Sequence, residues 1–282
     1  MRRALHTKRI GHTGTLDPLA TGVLPLVIGR ATRLASLLSG AEKEYVAGVR
    51  LGRATDTYDA AGLVGPPPAP PAGIDFARID GALDRFRGIF DQAPPSYSAK
   101  KIDGVAAYKL ARRNTPVQPR PVSVNVTRLS LEAYEHGRAR VRVSASAGFY
   151  VRSLAHDLGS DLGCGAYLEA LRRVRAGTFS EGSATPLEEI EREGPGAARL
   201  IIPLERLLPE VPAVVLNERG VRRAAHGNEL ALEDLVEPPP PVRVAIDGPN
   251  QGRWRLLDGA GMLLAVAESR PGGLLHPVIV LV

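Results

Sequence analysis

Apolar and polar positions repeat along this chain with two different periods. Tyr45, Ala47, Val49 and Leu51 alternate with Val46, Gly48 and Arg50, a period of two that predicts a strand. Val122, Val124 and Val126, and then Val141 and Val143, predict two neighbouring strands, and Phe149 to Val151 a third that feeds a helix from about Arg152 to Leu162. The apolar run Leu24 to Ile28, ended by Gly29, reads as a buried strand. Thr32 then opens a helical stretch with Leu34, Leu37 and Leu38 on one face and Gly40 as its stop. Ile79, Leu83 and Phe86 recur at helical spacing within 75–87, closed by Gly88, and Val105 to Arg112 reads as a second helix. Between them Gln92 to Gly104 is polar and loop-like, which puts Tyr97 and Lys100 at the surface.

Residues 65–73 form a connector too proline-rich for helix or central strand. Thr185-Pro186-Leu187-Glu188 has the form of a capping box with proline at the first helical position, so another helix is expected there. Pro203, Pro209 and Pro212 mark a change of composition, followed by a helix near Asn217 to His226 that Gly227 ends. Beyond it, Val242 to Ile246, Arg253 to Leu257, Leu263 to Ala267 and Val278 to Val282 are short strand-like runs that would make a small barrel or sheet. The mixture predicts an α+β body, residues 1–208, with a small β-rich appendage, residues 209–282.

The chain has 282 residues, 44% of them hydrophobic and 23% charged, which is ordinary for a globular protein with a sizeable core. No apolar run reaches the roughly 20 residues that span a bilayer, and Met1-Arg2-Arg3 is not followed by a signal-peptide core, so a cytoplasmic location is expected. One cysteine, Cys164, excludes an internal disulfide framework and a multi-thiolate metal site. The net charge of +6 suits a polyanionic partner. From Asn228 onward acids outnumber bases, so the attraction should lie in the preceding residues.

The candidate chemistry centres on Arg9 to Leu24, where Asp17 lies among Gly11, Gly14 and Gly22 and directly before Pro18. Pro18 biases Asp17 toward extended backbone, and the glycines permit close approach to a bulky ligand; as loop chemistry alone this is an ordinary turn. The run Gly11-His12-Thr13-Gly14-Thr15-Leu16-Asp17-Pro18-Leu19-Ala20-Thr21-Gly22-Val23-Leu24-Pro25 resembles the catalytic motif of the TruB family, the bacterial tRNA pseudouridine-55 synthases. Lys43-Glu44-Tyr45, Leu51 to Thr57, Pro94 to Lys101 and Gly148 to Ser153 are similar to further segments of that family, in its order. The resemblance implies a pseudouridine-synthase fold, a mixed and mainly antiparallel sheet with helices, followed by a PUA-like RNA-binding domain. It also implies isomerisation of a uridine in the T-loop of tRNA. That reaction needs no redox cofactor or metal; without a long basic tail a stand-alone enzyme is expected over a guide-RNA-dependent synthase, and a monomer is the default expectation.

On that resemblance Asp17 is the catalytic carboxylate, Arg152 the cation beside it, and Tyr45 the aromatic that stacks on the target base and handles its C5 proton. Tyr150 matches a second pocket aromatic, Leu171 an apolar residue lining the uracil site, and His12 a residue that occupies space in the T-loop as the base flips. A carboxylate in a water-poor pocket needs such a cation, since burial alone would protonate it. Taken singly, Tyr45 reads equally as a strand aromatic at the core edge, Leu171 as a helical core residue, and Arg152 as a solvated residue at a helix start. Lys100-Lys101, Lys8-Arg9, Arg112-Arg113 and Arg172-Arg173-Arg175 are candidate phosphate contacts or simply solvated faces.

No phosphate-binding loop or nucleophile elbow is present. Asp56 to Gly62 matches a calcium loop only superficially and reads as a turn, with Asp56 ordering the catalytic floor. Family members carry some twenty to thirty residues before the Gly-His-Thr-Gly motif, against ten here, which predicts a missing strand and reduced activity. The alternative reading is a tRNA-binding or tRNA-folding protein with little catalysis. Retention of Asp17, Tyr45 and Arg152 together argues against it.

Overall fold

The computed structural model of the chain describes residues 1–63, 65, 73–98, 100–102, 104–111, 119–238 and 252–282. In chain order the first strands and helices are β1 (Ile10–His12), β2 (Ala20–Gly22), β3 (Leu26–Ile28), α1 (Ala35–Ser39), β4 (Lys43–Leu51), α2 (Phe76–Leu83) and β5 (Gly88–Gln92). Then come β6 (Lys101–Ile102), β7 (Val105–Ala106), α3 (Ala107–Ala111), β8 (Val122–Glu135), β9 (Arg138–Ala145), α4 (Val151–Asp161), β10 (Ala166–Ala176) and β11 (Phe179–Ser180). The last are α5 (Leu187–Glu193), β12 (Ala213–Val215), α6 (Glu218–Ala225), β13 (Arg253–Leu257), β14 (Leu263–Arg270) and β15 (Leu274–Val280). They fall into two compact units, one of Thr15–Leu24 and Ala41–Ala184, the other of Met1–Gly14, Pro25–Gly40 and Thr185–Val282.

The first unit is a sheet in the order β11-β10-β4-β9-β8-β5, with β2 added in parallel against β10 and all other pairs antiparallel. Its register follows the alternation of the sequence: Ala47 faces Val141 and Tyr45 faces Val143. Ala47, Val49, Leu51, Val141 and Val143 turn inward, and Ile79 and Leu83 of α2 with Leu154, Ala155 and Leu158 of α4 complete the core. Burying each such leucine or valine contributes about 1.5–3 kcal/mol.

The structure departs from the sequence reading at four places in this unit. Residues 166–176, where a helical leucine was expected, form the long strand β10. Register shifts between Leu168 and Ala170 and between Arg173 and Arg175 interrupt its alternation, so Leu168 and Leu171 fall at a spacing that mimics a helix. Phe149 and Tyr150 are not a strand; Gly148 takes a left-handed conformation, φ 93°, and α4 starts at Val151. Residues 88–92 pair with β8 as an edge strand. The expected helix from Val105 is confined to Ala107–Ala111, with Val105 and Ala106 in a strand and Arg112 outside the described residues.

In the second unit β1 pairs with β3, and β12-β13-β14-β15 form a four-stranded sheet against which α6 packs Ala224. Arg253–Leu257 and Leu263–Ala267 are strands as expected, the last strand begins at Leu274, and β12 was not foreseen. Pro277 sits in β15, an edge strand, where a residue without an N–H is tolerated. Asn217 caps α6 by accepting from the Gly220 N–H, 3.0 Å away. At α5 the expected capping box is absent: Pro186 occupies the cap position and no side chain closes it. The run Val242 to Ile246 and most of the proline-rich connector lie outside the described residues. Among the described residues no helix is long and apolar enough to cross a membrane.

Two buried positions of the first unit have measurable consequences. Gly159 of α4 lies so close to the start of β10 that a Cβ would stand 2.0 Å from the Ala166 nitrogen. Backbone cannot yield there, so Gly159→Ala is expected to destabilise the protein by about 1–3 kcal/mol or more, read as a lower urea midpoint. Lys43, at the start of β4, is buried with Nζ donating to the Ala41 carbonyl at 2.7 Å. Burial, with the neighbouring Arg173 charge, pushes its ammonium down to about 8. Between that value and the higher value of an exposed lysine, the unfolded chain holds a proton that the folded chain lacks, so stability gains from this residue as pH rises. Urea midpoints measured from pH 8 to 10 are therefore expected to rise in the parent relative to Lys43→Met.

Candidate active site

The loop that carries Asp17 is held from behind by β10. Ala20, Thr21 and Gly22 run parallel to Leu171, Arg172 and Arg173, and the Val23 N–H donates to the Arg173 carbonyl at 2.9 Å. Gly22, φ 95°, is required by this approach, because a Cβ would stand 2.2 Å from the Arg173 carbonyl oxygen. The Arg173 side chain returns the contact, with Nε donating to the Val23 carbonyl at 2.8 Å. The Ala20 N–H closes the turn onto the Asp17 carbonyl at 2.8 Å. The Asp17 carboxylate remains partly open to solvent, with its side chain 28% exposed.

Arg152, the second residue of α4, meets that carboxylate with two parallel hydrogen bonds. Nε donates to Asp17 Oδ2 at 2.9 Å and Nη2 to Oδ1 at 2.8 Å. Nη1 donates to the Thr57 carbonyl at 3.2 Å and Nη2 also to the Tyr97 carbonyl at 3.1 Å. Arg152 is 6% exposed, so the guanidinium is fixed by backbone on two sides and has only the carboxylates for charge. A planar fork against a carboxylate fixes direction as well as charge, and the N-terminal end of α4 adds its partial positive charge. The helix start is itself pinned: Gln92 Nε2 donates to the Tyr150 carbonyl at 3.0 Å and the Tyr150 N–H donates to Gln92 Oε1 at 2.8 Å. Ser153 Oγ donates to the Ala93 carbonyl at 2.7 Å.

A second carboxylate, Asp59, lies 3.6 Å from Arg152 Nη1 and is 4% exposed. Its Oδ1 accepts from Thr57 Oγ1 at 2.6 Å and from the Ala61 N–H at 3.0 Å. Tyr58 bridges it to β10, accepting from the Leu168 N–H at 2.9 Å, and its ring stacks on His156 of α4, centroids 3.8 Å apart. Asp59 was missed in the sequence, where Asp56 was expected to order this floor. Asp56 instead accepts from the Leu63 N–H at 2.8 Å and closes the turn. The usable signal was an aspartate two residues after a threonine and followed by Ala-Ala-Gly, a self-bonding turn that leaves one oxygen for a cation.

Tyr45, on β4, belongs to the same neighbourhood. Burial pushes its phenol up from the ordinary value; the charge of Arg173 and a side-chain hydrogen bond from it pull the other way, and the Asp17 carboxylate nearby adds to the rise. Tyr150 is likewise pushed up, chiefly by burial, with Arg152 and Asp17 both close enough to act on it. Leu171 is buried in the core cluster against which Leu19, Ala20 and Tyr45 pack, so it lies on a strand beside the Asp17 loop. The Lys100 side chain is exposed, with its carbonyl accepting from the Ala107 N–H at 2.8 Å, and has no bond to the Asp17 pair. His12 is exposed on β1 in the second unit. Among the described residues no group of three or more His, Cys, Asp or Glu side chains is arranged to hold a metal ion.

Residues 2–151 match the family model described as "TruB family pseudouridylate synthase (N terminal domain)", and 152–209 match "tRNA pseudouridylate synthase B C-terminal domain". The chain is 41% identical over 286 residues to the tRNA pseudouridine synthase B of Solibacter usitatus, covering 100% of this chain and 93% of that relative. It is 40% identical over 275 residues to the protein of the same name from Azoarcus sp., covering 97% and 86%. Among solved structures, a chain from a Cbf5-Nop10-Gar1 complex superposes with a TM-score of 0.73 at 24% identity, covering 100% of this chain and 79% of that one. A chain from an H/ACA RNP bound to a substrate RNA containing 2'-deoxyuridine gives 0.71 at 22%, covering 100% and 78%. Those two likenesses speak to the fold, which is mixed α+β. With both family models matched in sequence and full-length relatives near 40% identity, this chain belongs to the TruB family of pseudouridine synthases.

Proposed function

We propose that this protein isomerises a uridine in the T-loop of tRNA, at position 55, to pseudouridine. The observation that carries the reading is the two-point pairing of Arg152 with Asp17, which fixes the direction of the carboxylate. The reaction breaks the bond between uracil N1 and the ribose, turns the base and joins C5 to the same ribose carbon. Asp17 acts at the sugar as the base leaves, as nucleophile or as the group that assists proton loss from the ribose. When the new bond has formed, C5 still carries its proton. Tyr45, its own hydroxyl proton having passed to water, takes it; the C5–H electron pair becomes the C5–C6 double bond, and N1 takes a proton from water.

Tyr150 and Leu171 line the pocket, so that uracil stays in place while it turns. Reaching the base requires extruding it from the T-loop, at a cost of a few kcal/mol, and His12 fills the space it leaves. Lys100 and other exposed basic groups of the chain contact phosphates, so binding weakens with salt. Residues 209–282 serve as a PUA-like RNA-binding domain that follows the catalytic domain of 1–208 in the chain. The relatives named tRNA pseudouridine synthase B support tRNA as substrate, and we propose a monomer that works in the cytoplasm without a guide RNA, cofactor or metal.

Unmodified tRNA transcript tritiated at uracil C5, with enzyme in excess, tests this directly. The parent is expected to release tritium without added guide RNA, and Asp17→Asn to be slower by at least about 10³-fold while still binding tRNA. Binding without release by the parent would mean a tRNA-binding protein instead. Arg152→Lys keeps the charge but loses the fork, and a carboxylate displaced by about 1 Å is expected to cost about 10²-fold in the single-turnover rate. Its tRNA affinity should stay within about threefold of the parent, since Arg152 is buried.

A further inference from the structure

The largest fully buried side chain among the described residues of the catalytic unit is a cation with no part in the Asp17 pairing. Arg173 is 2% exposed. It stands directly across from Tyr45 in the antiparallel pairing of β10 with β4, and alongside Gly22 in the parallel pairing with β2. Nε is committed to the Val23 carbonyl at 2.8 Å, and a guanidinium N–H donates to the Tyr45 hydroxyl. A buried charge is costly, several kcal/mol after relaxation, and a neutral residue of similar volume would serve a core as well or better. The cation therefore needs a reason beyond packing.

We propose that Arg173 is the positioning residue of Tyr45: from the neighbouring strand it fixes the phenol oxygen relative to the Asp17 loop and stabilises the negative charge that this oxygen carries before it takes the C5 proton. One side chain thus ties together the two elements that must act on opposite ends of the same nucleoside. The Asp17 loop acts at the sugar, and Tyr45 at the base. Donation from Arg173 occupies one lone pair of the phenol and leaves the other side of the oxygen to the substrate. Burial raises the cost of ionising Tyr45, and the adjacent guanidinium opposes it. Arg172 and Arg175 lie on the same strand but spend their charge elsewhere, on Glu181 and on Glu42 and Glu44. The inference rests on the synthase reading and adds to it the group through which Tyr45 is controlled.

The test is a double-mutant cycle on single-turnover tritium release, using the full chain with Arg173→Gln, Tyr45→Phe and the two combined. Tyr45→Phe is expected to slow release by at least about 10²-fold, as loss of a general base does. Arg173→Gln alone is expected to slow it about tenfold or more, and by less than about threefold once Tyr45 is already phenylalanine. The tRNA dissociation constant is expected to stay within about threefold throughout, because neither change alters phosphate contacts. If the two effects multiply, Arg173 only braces the Val23 turn and the proposal is overturned. It is equally overturned if Tyr45→Phe matches the parent.

Should the glutamine variant melt below the assay temperature, the cycle is run with Arg173→Lys. That residue keeps the cation but cannot hold Val23 and Tyr45 at once, and the same loss of effect in the phenylalanine background is expected. A parent that releases no tritium fails the synthase reading itself, and this inference with it. A parent that releases tritium, with an uncoupled cycle, fails this inference alone.

Discussion

The Arg152–Asp17 pair is the interaction on which the arrangement of the catalytic unit depends. A guanidinium that is 6% exposed is tolerable only if its donors and charge are matched, and each match recruits a different segment. Asp17 brings the glycine-rich loop, Thr57 and Asp59 bring the turn after β4, and Tyr97 brings the segment after β5. Those segments are far apart in sequence, and Arg152 is where they converge. Removing it would leave two carboxylates and two carbonyls facing one another without a counter-charge. The pair is therefore a folding constraint and a chemical one together.

Behind that pair the sheet supplies rigidity. β10 carries the load on one side: it pairs with β4, accepts β2 in parallel, stitches the Asp59 turn through Leu168 and lies against α4 at Gly159. A loop that must hold a carboxylate to within a fraction of an ångström gains more from being an extra strand of a sheet than from its own sequence. β2 is only three residues long, Ala20–Gly22, and would not persist in isolation. Its position follows from backbone bonds to β10 and from Arg173, which reaches back to Val23.

The electrostatics of the site follow from unequal burial. Tyr45 and Tyr150 are pushed up because they are withdrawn from water near a carboxylate, whereas cations stand close enough to each to oppose that rise. Lys43 is pushed down because it shares a buried corner with Arg173. Outside, charges are paired along the sheet surface, as in Glu44 with Arg142 and Arg175 and Glu132 with Arg140 and Arg142, where water screens them and little depends on any one.

The sequence by itself determined the strands whose alternation is unbroken, at Tyr45–Leu51, Val122–Val126 and Val141–Val143, because period two has one physical meaning on a half-buried sheet. It also determined the pairing of interest: a carboxylate in a glycine-rich loop and an arginine at a helix start, each matching a motif of one family. Asp59 was legible only as part of a self-bonding turn, since an aspartate there looks the same whether its free oxygen faces water or a guanidinium. Nor was β10, whose two register shifts put Leu168 and Leu171 at helical spacing. Arg173 gave no sign either, lying within a run of basic residues that reads as a solvated face. These were decided only by tertiary structure, because burial, cross-strand register and the sharing of one cation among distant segments are properties of the folded chain and leave no local pattern.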